Sequence, residues 1–254
     1  MPTLDELRDK AEADLEAILA TLDERHKARL RAAIKQYGWD MPDSVWQEIR
    51  QDQANEELAA MLLLLMTASD EWTTSQIQGQ GAVVRGYSDR DFMGYAFEAQ
   101  KRVETLAAQT TETLRQRITR KVQDSQLSGP GDVGTITEEG IDQTLDVVFT
   151  PERRKGIAID QTTGAFSRGQ TAAAGRSDGA STQAGQRVTI DMLWKTERDN
   201  LVCVRCAPLH NQPEAVWGLV FPNGPGVEAH PNCRCALEPR VVVSEGATTN
   251  EGNA

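Results

Sequence analysis

The sequence is short of aromatic residues, of cysteine and of positive charge, and each shortage narrows what the chain can be. Phe, Trp and Tyr together make up 5% of the 254 residues, so the core has to be aliphatic and alanine-rich, which suits helices better than a large sandwich. Lys and Arg number 27 against 38 Asp and Glu, a formal net charge of −11. That balance argues against a surface built to coat nucleic acid, because such surfaces neutralise phosphates with Lys and Arg. Long apolar runs are missing too. The most apolar, "LAAMLLLLM" from Leu58 to Met66, falls far short of the roughly 20 residues that span a bilayer, and reads as the core of a buried helix. The opening "MPTLDELRDKAEADLEAILA" has acidic residues where a secretory signal needs a basic start and an apolar run, so the expected place of synthesis is a cytoplasm. Neither a membrane nor specific nucleic acid is an expected partner.

What is present is mostly helical pattern. Leu4, Leu7, Ala11, Leu15, Ile18, Leu22, Leu30 and Ile34 recur at spacings of three and four, one stripe of a helix over about 3–37, and Thr3 with Glu6 forms a capping box at its start. After the breaker "YGWDMPDS" a second helical stretch is expected from about Val45 through Leu65 toward Trp72. A third, over about 89–122, carries Phe92, Tyr95, Val103, Leu106, Leu114 and Ile118. "LSGPGDVG" separates these from a short helix capped by Thr135 and Glu138. Thr150 and Pro151 then read as the N-cap and first position of one more helix. That helix is expected to fade into the flexible stretch "AAAGRSDGASTQAGQ".

Beyond it the period changes to two. Val188, Ile190, Met192 and Trp194 alternate with polar residues as in a half-buried strand, and "VWGLVF" and "ALEPRVVV" read as further short strands. The expected class is α+β, with mostly α-helical N-terminal two thirds followed by a small zinc-stapled β-rich module. The corresponding division is a helical region over 1–128, helices and a Gly/Ser/Ala linker over 129–187, the β-rich module over 188–243, and a disordered tail over 244–254.

All 4 cysteines fall in one window, as "CVRC" and then "HPNCRC". A reducing compartment disfavours structural disulfides and leaves metal binding or catalysis as the use of clustered thiols. A module of about fifty residues with few large apolar side chains needs a staple, and zinc, which takes four thiolate or imidazole ligands in a tetrahedron, is the natural one. Cys203 and Cys206 form a Cys-x-x-Cys turn that presents two sulfurs. His230, Cys233 and Cys235 add three candidates, which makes five for four places. The favoured set is Cys203, Cys206 and Cys233 with either His230 or Cys235. His230 is placed ahead because a His-x-x-Cys step resembles a second knuckle. Disulfides are the structural alternative.

The order "RRKGIAIDQTTGAF", "MLWKTERDNLVCVRCAPLHNQ", "VFP", "AHPNCRCALEP" resembles the C-terminal domain of the phage Mu F-like head morphogenesis proteins, minor head proteins of tailed bacteriophages. Arg154, Ile157, Ala158, Trp194, Thr196, Asp199, Cys203, Cys206, His230, Pro231, Cys233, Arg234 and Cys235 match that family's pattern over about 150–240. "IDQTT" departs from it, standing where the family usually has an Arg-Thr-Glu step, and the N-terminal helical region matches nothing by motif. The resemblance implies a minor structural protein of the phage head, assembled in the host cytoplasm and carried in the virion. It further implies work in procapsid assembly at or near the portal vertex, with portal or major capsid protein as partner. The helices are expected to supply the docking surface.

Two other classes compete with that reading. Glu197 and Asp199 near two histidines invite a zinc-stapled nuclease of the His-Asn-His type, in which a metal-activated water attacks a phosphodiester. No adjacent histidine pair follows the first Cys pair, and the acidic charge opposes DNA binding, so no catalytic residue is expected. The other class is a general helical adaptor with a zinc knob. Among the remaining residues, Arg234 is expected to hydrogen-bond loop carbonyls, Trp194 and Trp217 to fill the core of the module, and His210 to sit in an exposed loop. His26 is expected on the polar side of the first helix.

Overall fold

The computed structural model describes residues 3–86, 88–127, 137–182, 186–196, 202–226 and 229–243. Their order is α1 (Leu4–Tyr37), α2 (Asp43–Gln53), α3 (Glu56–Gly79), α4 (Asp89–Leu127), α5 (Glu138–Asp146), α6 (Pro151–Ser177), β1 (Val188–Lys195), a 3₁₀ turn (Ala207–Leu209), α7 (Glu214–Trp217) and β2 (Ala236–Val243). The class is α+β, mostly helical with one small sheet near the C-terminal end. Among the described residues no helix is long and apolar enough to cross a membrane. The expected breaker from Ser128 onward, Thr135 and the tail over 244–254 lie outside the described residues.

The caps explain where the helices begin. The amide of Thr3 donates to Glu6 Oε2 at 2.8 Å and that of Glu6 to Thr3 Oγ1 at 3.2 Å, the reciprocal pair of a capping box. The Arg153 amide donates to Thr150 Oγ1 at 3.1 Å, so Thr150 caps α6 ahead of Pro151. The single helix expected from Val45 onward is two helices. Asn55 Oδ1 accepts from the amides of Glu57 at 2.8 Å and Leu58 at 3.2 Å, which starts α3 afresh after α2 has ended. The cap of α5 is Thr137, whose hydroxyl accepts from the Gly140 amide.

The chain divides into two compact units, and the division cuts across the sequence order. One consists of residues 9–62 and 96–158, the other of residues 1–8, 63–95 and 159–254. In the first, a single apolar cluster joins Leu30 and Ile34 of α1, Trp46 and Ile49 of α2, Leu114 and Ile118 of α4, and Ile141 and Leu145 of α5, with Phe149 beyond it. Lys27, Arg31 and Lys35 of α1 pair with Asp146, Asp142 and Glu138 of α5. The steps are four residues up one helix and four down the other, so the ladder fixes an antiparallel register; each exposed pair adds only about 0–1 kcal/mol. His26 is half-buried against Phe149, not on a polar face, and with Asp23, Gln53, Thr110, Arg153 and Arg154 it lines a cavity of about 30 Å³, room for about two waters. Burial holds its imidazole down at about 4.

In the second unit β1 pairs antiparallel with β2, Val188 opposite Val243 and Lys195 opposite Ala236. A two-stranded sheet leaves one outer row of backbone groups unpaired on each strand, and here both outer rows have partners. Along β1, the Val188 amide donates to Ala180 O, the Trp217 indole to Met192 O, and Trp194 exchanges bonds with Asn211 and Gln212. Along β2, Gln170 brackets Leu237, its Nε2 donating to the carbonyl at 2.8 Å and its Oε1 accepting from the amide at 3.2 Å. Gln80 does the same one step on, between Pro239 O and the Val241 amide. Pro239 sits on this outer row, where its missing amide hydrogen removes no rung from the ladder.

Two sequence expectations change in this unit. "AAAGRS" is not linker, because α6 runs on to Ser177 with Ala173 fully buried and Ser177 donating to its carbonyl. Arg176 at that end forms a buried ion pair with Asp70 of α3, and Asp70 also accepts from Tyr95. "VWGLVF" is not a strand. Pro213 starts α7 there, and Phe221 closes back on Trp217 through its amide, which turns both aromatic rings inward. Gly169 is where α6 meets α3: a Cβ there would lie 2.2 Å from the Met66 carbonyl oxygen, so no larger residue fits.

Candidate metal centre

Cys203 and Cys206 lie in a turn in which the Cys206 amide donates to Cys203 O at 3.1 Å and approaches Cys203 Sγ at 3.4 Å. An amide aimed at a sulfur favours the thiolate, which is why this turn recurs at metal knuckles. His230 enters from the other half of the window. Its Nδ1 lies 2.9 Å from its neighbour's carbonyl, Pro231 O. A carbonyl can only accept, so Nδ1 carries the proton and Nε2 keeps its lone pair. That Nε2 lies 2.9 Å from Cys206 Sγ and 3.2 Å from Cys203 Sγ.

Cys233 and Cys235 are two apart in extended chain, which puts both sulfurs on one side and Arg234 on the other. Their sulfurs and that of Cys206 lie within 4.8 Å of one another, as do the ligand atoms of Cys203, Cys206 and His230. Thiolates on a common zinc stand about 3.8 Å apart, so both triads are of the right size, and Cys206 belongs to each. Hydrogen bonds from Cys206 and Cys235 pull the Cys233 thiol far down, while the bonds of Cys206 with Cys233 and Cys235, together with burial, push Cys206 up. All four cysteines are free thiols, and three of them are buried. The cluster of Cys203, Cys206, His230, Cys233 and Cys235 can hold a metal ion. A donor set of thiolates and one imidazole suits a tetrahedral, borderline-soft ion.

The loop carrying these ligands is tied down by residues that the motif reading passed over. Asp160 accepts from the Asn232 amide at 2.6 Å, and Thr163 Oγ1 donates to Cys233 O at 2.6 Å. Arg8 Nη1 donates to Arg234 O at 2.7 Å. Asn232 takes a φ of 56°, in the left-handed region that Asn tolerates better than most residues. A signal for the α6 contribution was there to read. Asp160, Thr163, Ser167 and Gln170 follow one another at steps of three, four and three, a polar stripe on one face of a helix, and the last three are at most 4% exposed. A buried polar stripe must face backbone groups or other polar atoms. Arg8 has no comparable signature.

Around the ligands, Trp194 stacks on Phe221 at 5.4 Å and meets Trp217 at 5.7 Å between centroids, and both tryptophans are buried as expected. The Arg205 guanidinium lies 5.0 Å over the Phe221 ring. His210 is half-buried, not in an exposed loop. Its Nδ1 accepts from the Thr196 amide at 3.2 Å, which holds it at the end of β1 and outside both triads. Glu197 and Asp199, the acids of the hydrolase reading, lie outside the described residues. No family model matches the chain, and no curated protein or solved structure matches it.

Proposed function

We propose that the chain is a minor structural protein of a tailed-phage head, non-enzymatic, acting in procapsid assembly at or near the portal vertex, with a structural zinc ion in its Cys/His cluster. The observation that supports this best is that the separated segments carrying the resemblance meet at one place. Residues 159–163 of α6 hold the "HPNCRC" loop, and that loop meets the "CVRC" turn through His230 and Cys206. The departure at "IDQTT" is part of that junction, since Asp160 and Thr163 make its hydrogen bonds. Zinc would be held by Cys203, Cys206 and Cys233 with His230, whose lone pair faces the first two sulfurs, and Cys235 would pack beside it. The ion supplies a cross-link between chain segments and no chemistry on a substrate.

Elemental analysis of protein purified without chelator should find about one zinc per chain. Co-sedimentation with procapsids that carry portal should retain the protein in the pelleted particle. Absence from particles assembled in its presence would remove the head assignment while leaving the zinc result to stand by itself. The nuclease reading predicts plasmid cleavage with magnesium, manganese or zinc that is lost in His210→Ala or His230→Ala. We expect no cleavage, because His230 is turned to two sulfurs and His210 to Thr196.

A further inference from the structure

We propose that Arg8, at the beginning of the chain, is a positioning residue of the metal centre at its end; the proposal rests on the zinc reading of the Cys/His cluster. Arg8 stands in the second turn of α1 and is 1% exposed. Its Nη1 donates to the carbonyl of Arg234 at 2.7 Å and its Nη2 reaches that of Cys235 at 3.4 Å, across 226 and 227 residues of sequence. The preceding carbonyl, that of Cys233, is taken by Thr163. Three successive carbonyls of the ligand strand are therefore held by side chains from α1 and α6.

Arg8 thereby sets the planes of the peptides on either side of Cys235, and Thr163 that of the peptide between Cys233 and Arg234. The direction of each Cα–Cβ bond follows from those planes, so they decide whether the sulfurs of Cys233 and Cys235 converge with Cys206. A guanidinium can do this because its fork is planar and spans two acceptors at a fixed angle; an ammonium on a flexible stem cannot. The charge acts in the same sense. Zinc bound by three thiolates and a neutral imidazole keeps one surplus negative charge, and a buried cation on the ligand backbone favours it. The coupling is reciprocal. A loop locked by the ion would present its carbonyls to Arg8 and so hold the first turns of α1, and Arg8 belongs to the same compact unit as the cluster.

The test compares full-length wild type, Arg8→Lys and Arg8→Met, with Thr3→Ala as control, by zinc content and by competition against a chromogenic chelator. Partners that orient metal ligands are worth about 10–100-fold in affinity, and that loss is expected in Arg8→Met. Arg8→Lys, which keeps the charge and loses the fork, should recover only part of it. Thr3→Ala removes the capping box but leaves the Arg8 fork in place, so it should cost far less zinc affinity than Arg8→Met. Amide exchange supplies a second readout: stripping zinc from wild type should speed exchange over residues 4–8 as well as over 233–236. If Arg8→Met does not fold, Arg8→Lys decides. Zinc affinity in the Arg8 variants equal to wild type, or an equal loss in Thr3→Ala, would overturn the proposal and leave the zinc site standing. Wild type without zinc would overturn both.

Discussion

Residues 9–62 and 96–158 bury twelve apolar side chains in one cluster shared by four helices, whereas the unit that contains β1 and β2 adds to its own apolar cluster around Trp194, Trp217 and Phe221 a set of buried hydrogen-bonding groups on α6 and three buried cysteines. In the first unit each helix contributes its own stripe, and the polar contacts between α1 and α5 are exposed ion pairs of small worth. In the second, Thr163, Gln170, Gln80 and Arg8 serve as partners for backbone that a two-stranded sheet and an irregular loop leave unpaired. Apolar clusters degrade gradually when one group is removed. Polar networks fail at the point where a buried donor or acceptor loses its partner.

Removing the ligand common to both triads should separate the two units most clearly. Cys206→Ser is expected to abolish zinc binding, whose apparent free energy in structural sites is on the order of 10 kcal/mol and is also folding energy. Limited proteolysis should then cut within 188–243, while circular dichroism keeps most of the helical signal. Loss of the helices together with the module would show that the first unit does not stand on its own cluster. The complementary change is Leu114→Ala, at a fully buried position in that cluster. It should cost about 2–5 kcal/mol in denaturant unfolding and leave zinc stoichiometry untouched.

Gln170→Leu keeps the volume and removes both partners of Leu237. We expect a loss of about 1–3 kcal/mol, with amide exchange at Leu237 rising while that of α1 and α5 holds steady. The smallest effect is pH-dependent and belongs to the helical unit. His26 has a folded pKa near 4 against about 6.5 in the unfolded chain, because burial opposes its charge. The unfolded chain therefore takes up the proton first as pH falls. The contribution is complete above about 6.5 and lost toward 4, with a slope of about 1 kcal/mol per pH unit, lowered by the ring's remaining contact with solvent. Urea unfolding at pH 7, 6 and 5 should show it, and His26→Gln should flatten it.

The helices, their caps and the cysteine window could be read in the chain because their causes are local. A stripe at spacings of three and four, a Thr with Glu three residues on, a Thr before a Pro, and an alternating run before "CVRC" each act through neighbours a few residues away. The failures are equally specific. Asn55 breaks one expected helix into two by capping with its own side chain, "AAAGRS" stays helical because Arg176 and Ser177 find partners, and "VWGLVF" turns because Pro213 and Trp217 close α7. Helix periodicity, the change to strand and five metal-ligand candidates spanning 33 residues all follow from local pattern. Long-range packing alone turns the polar stripe of α6 onto the ligand loop, completes a sheet edge with two glutamines, and brings Arg8 to residues 226 and 227 places away. Those bonds join one side chain to a distant backbone amide or carbonyl, and nearly every residue presents the same backbone groups whatever its side chain, so the backbone partner leaves no mark in the sequence.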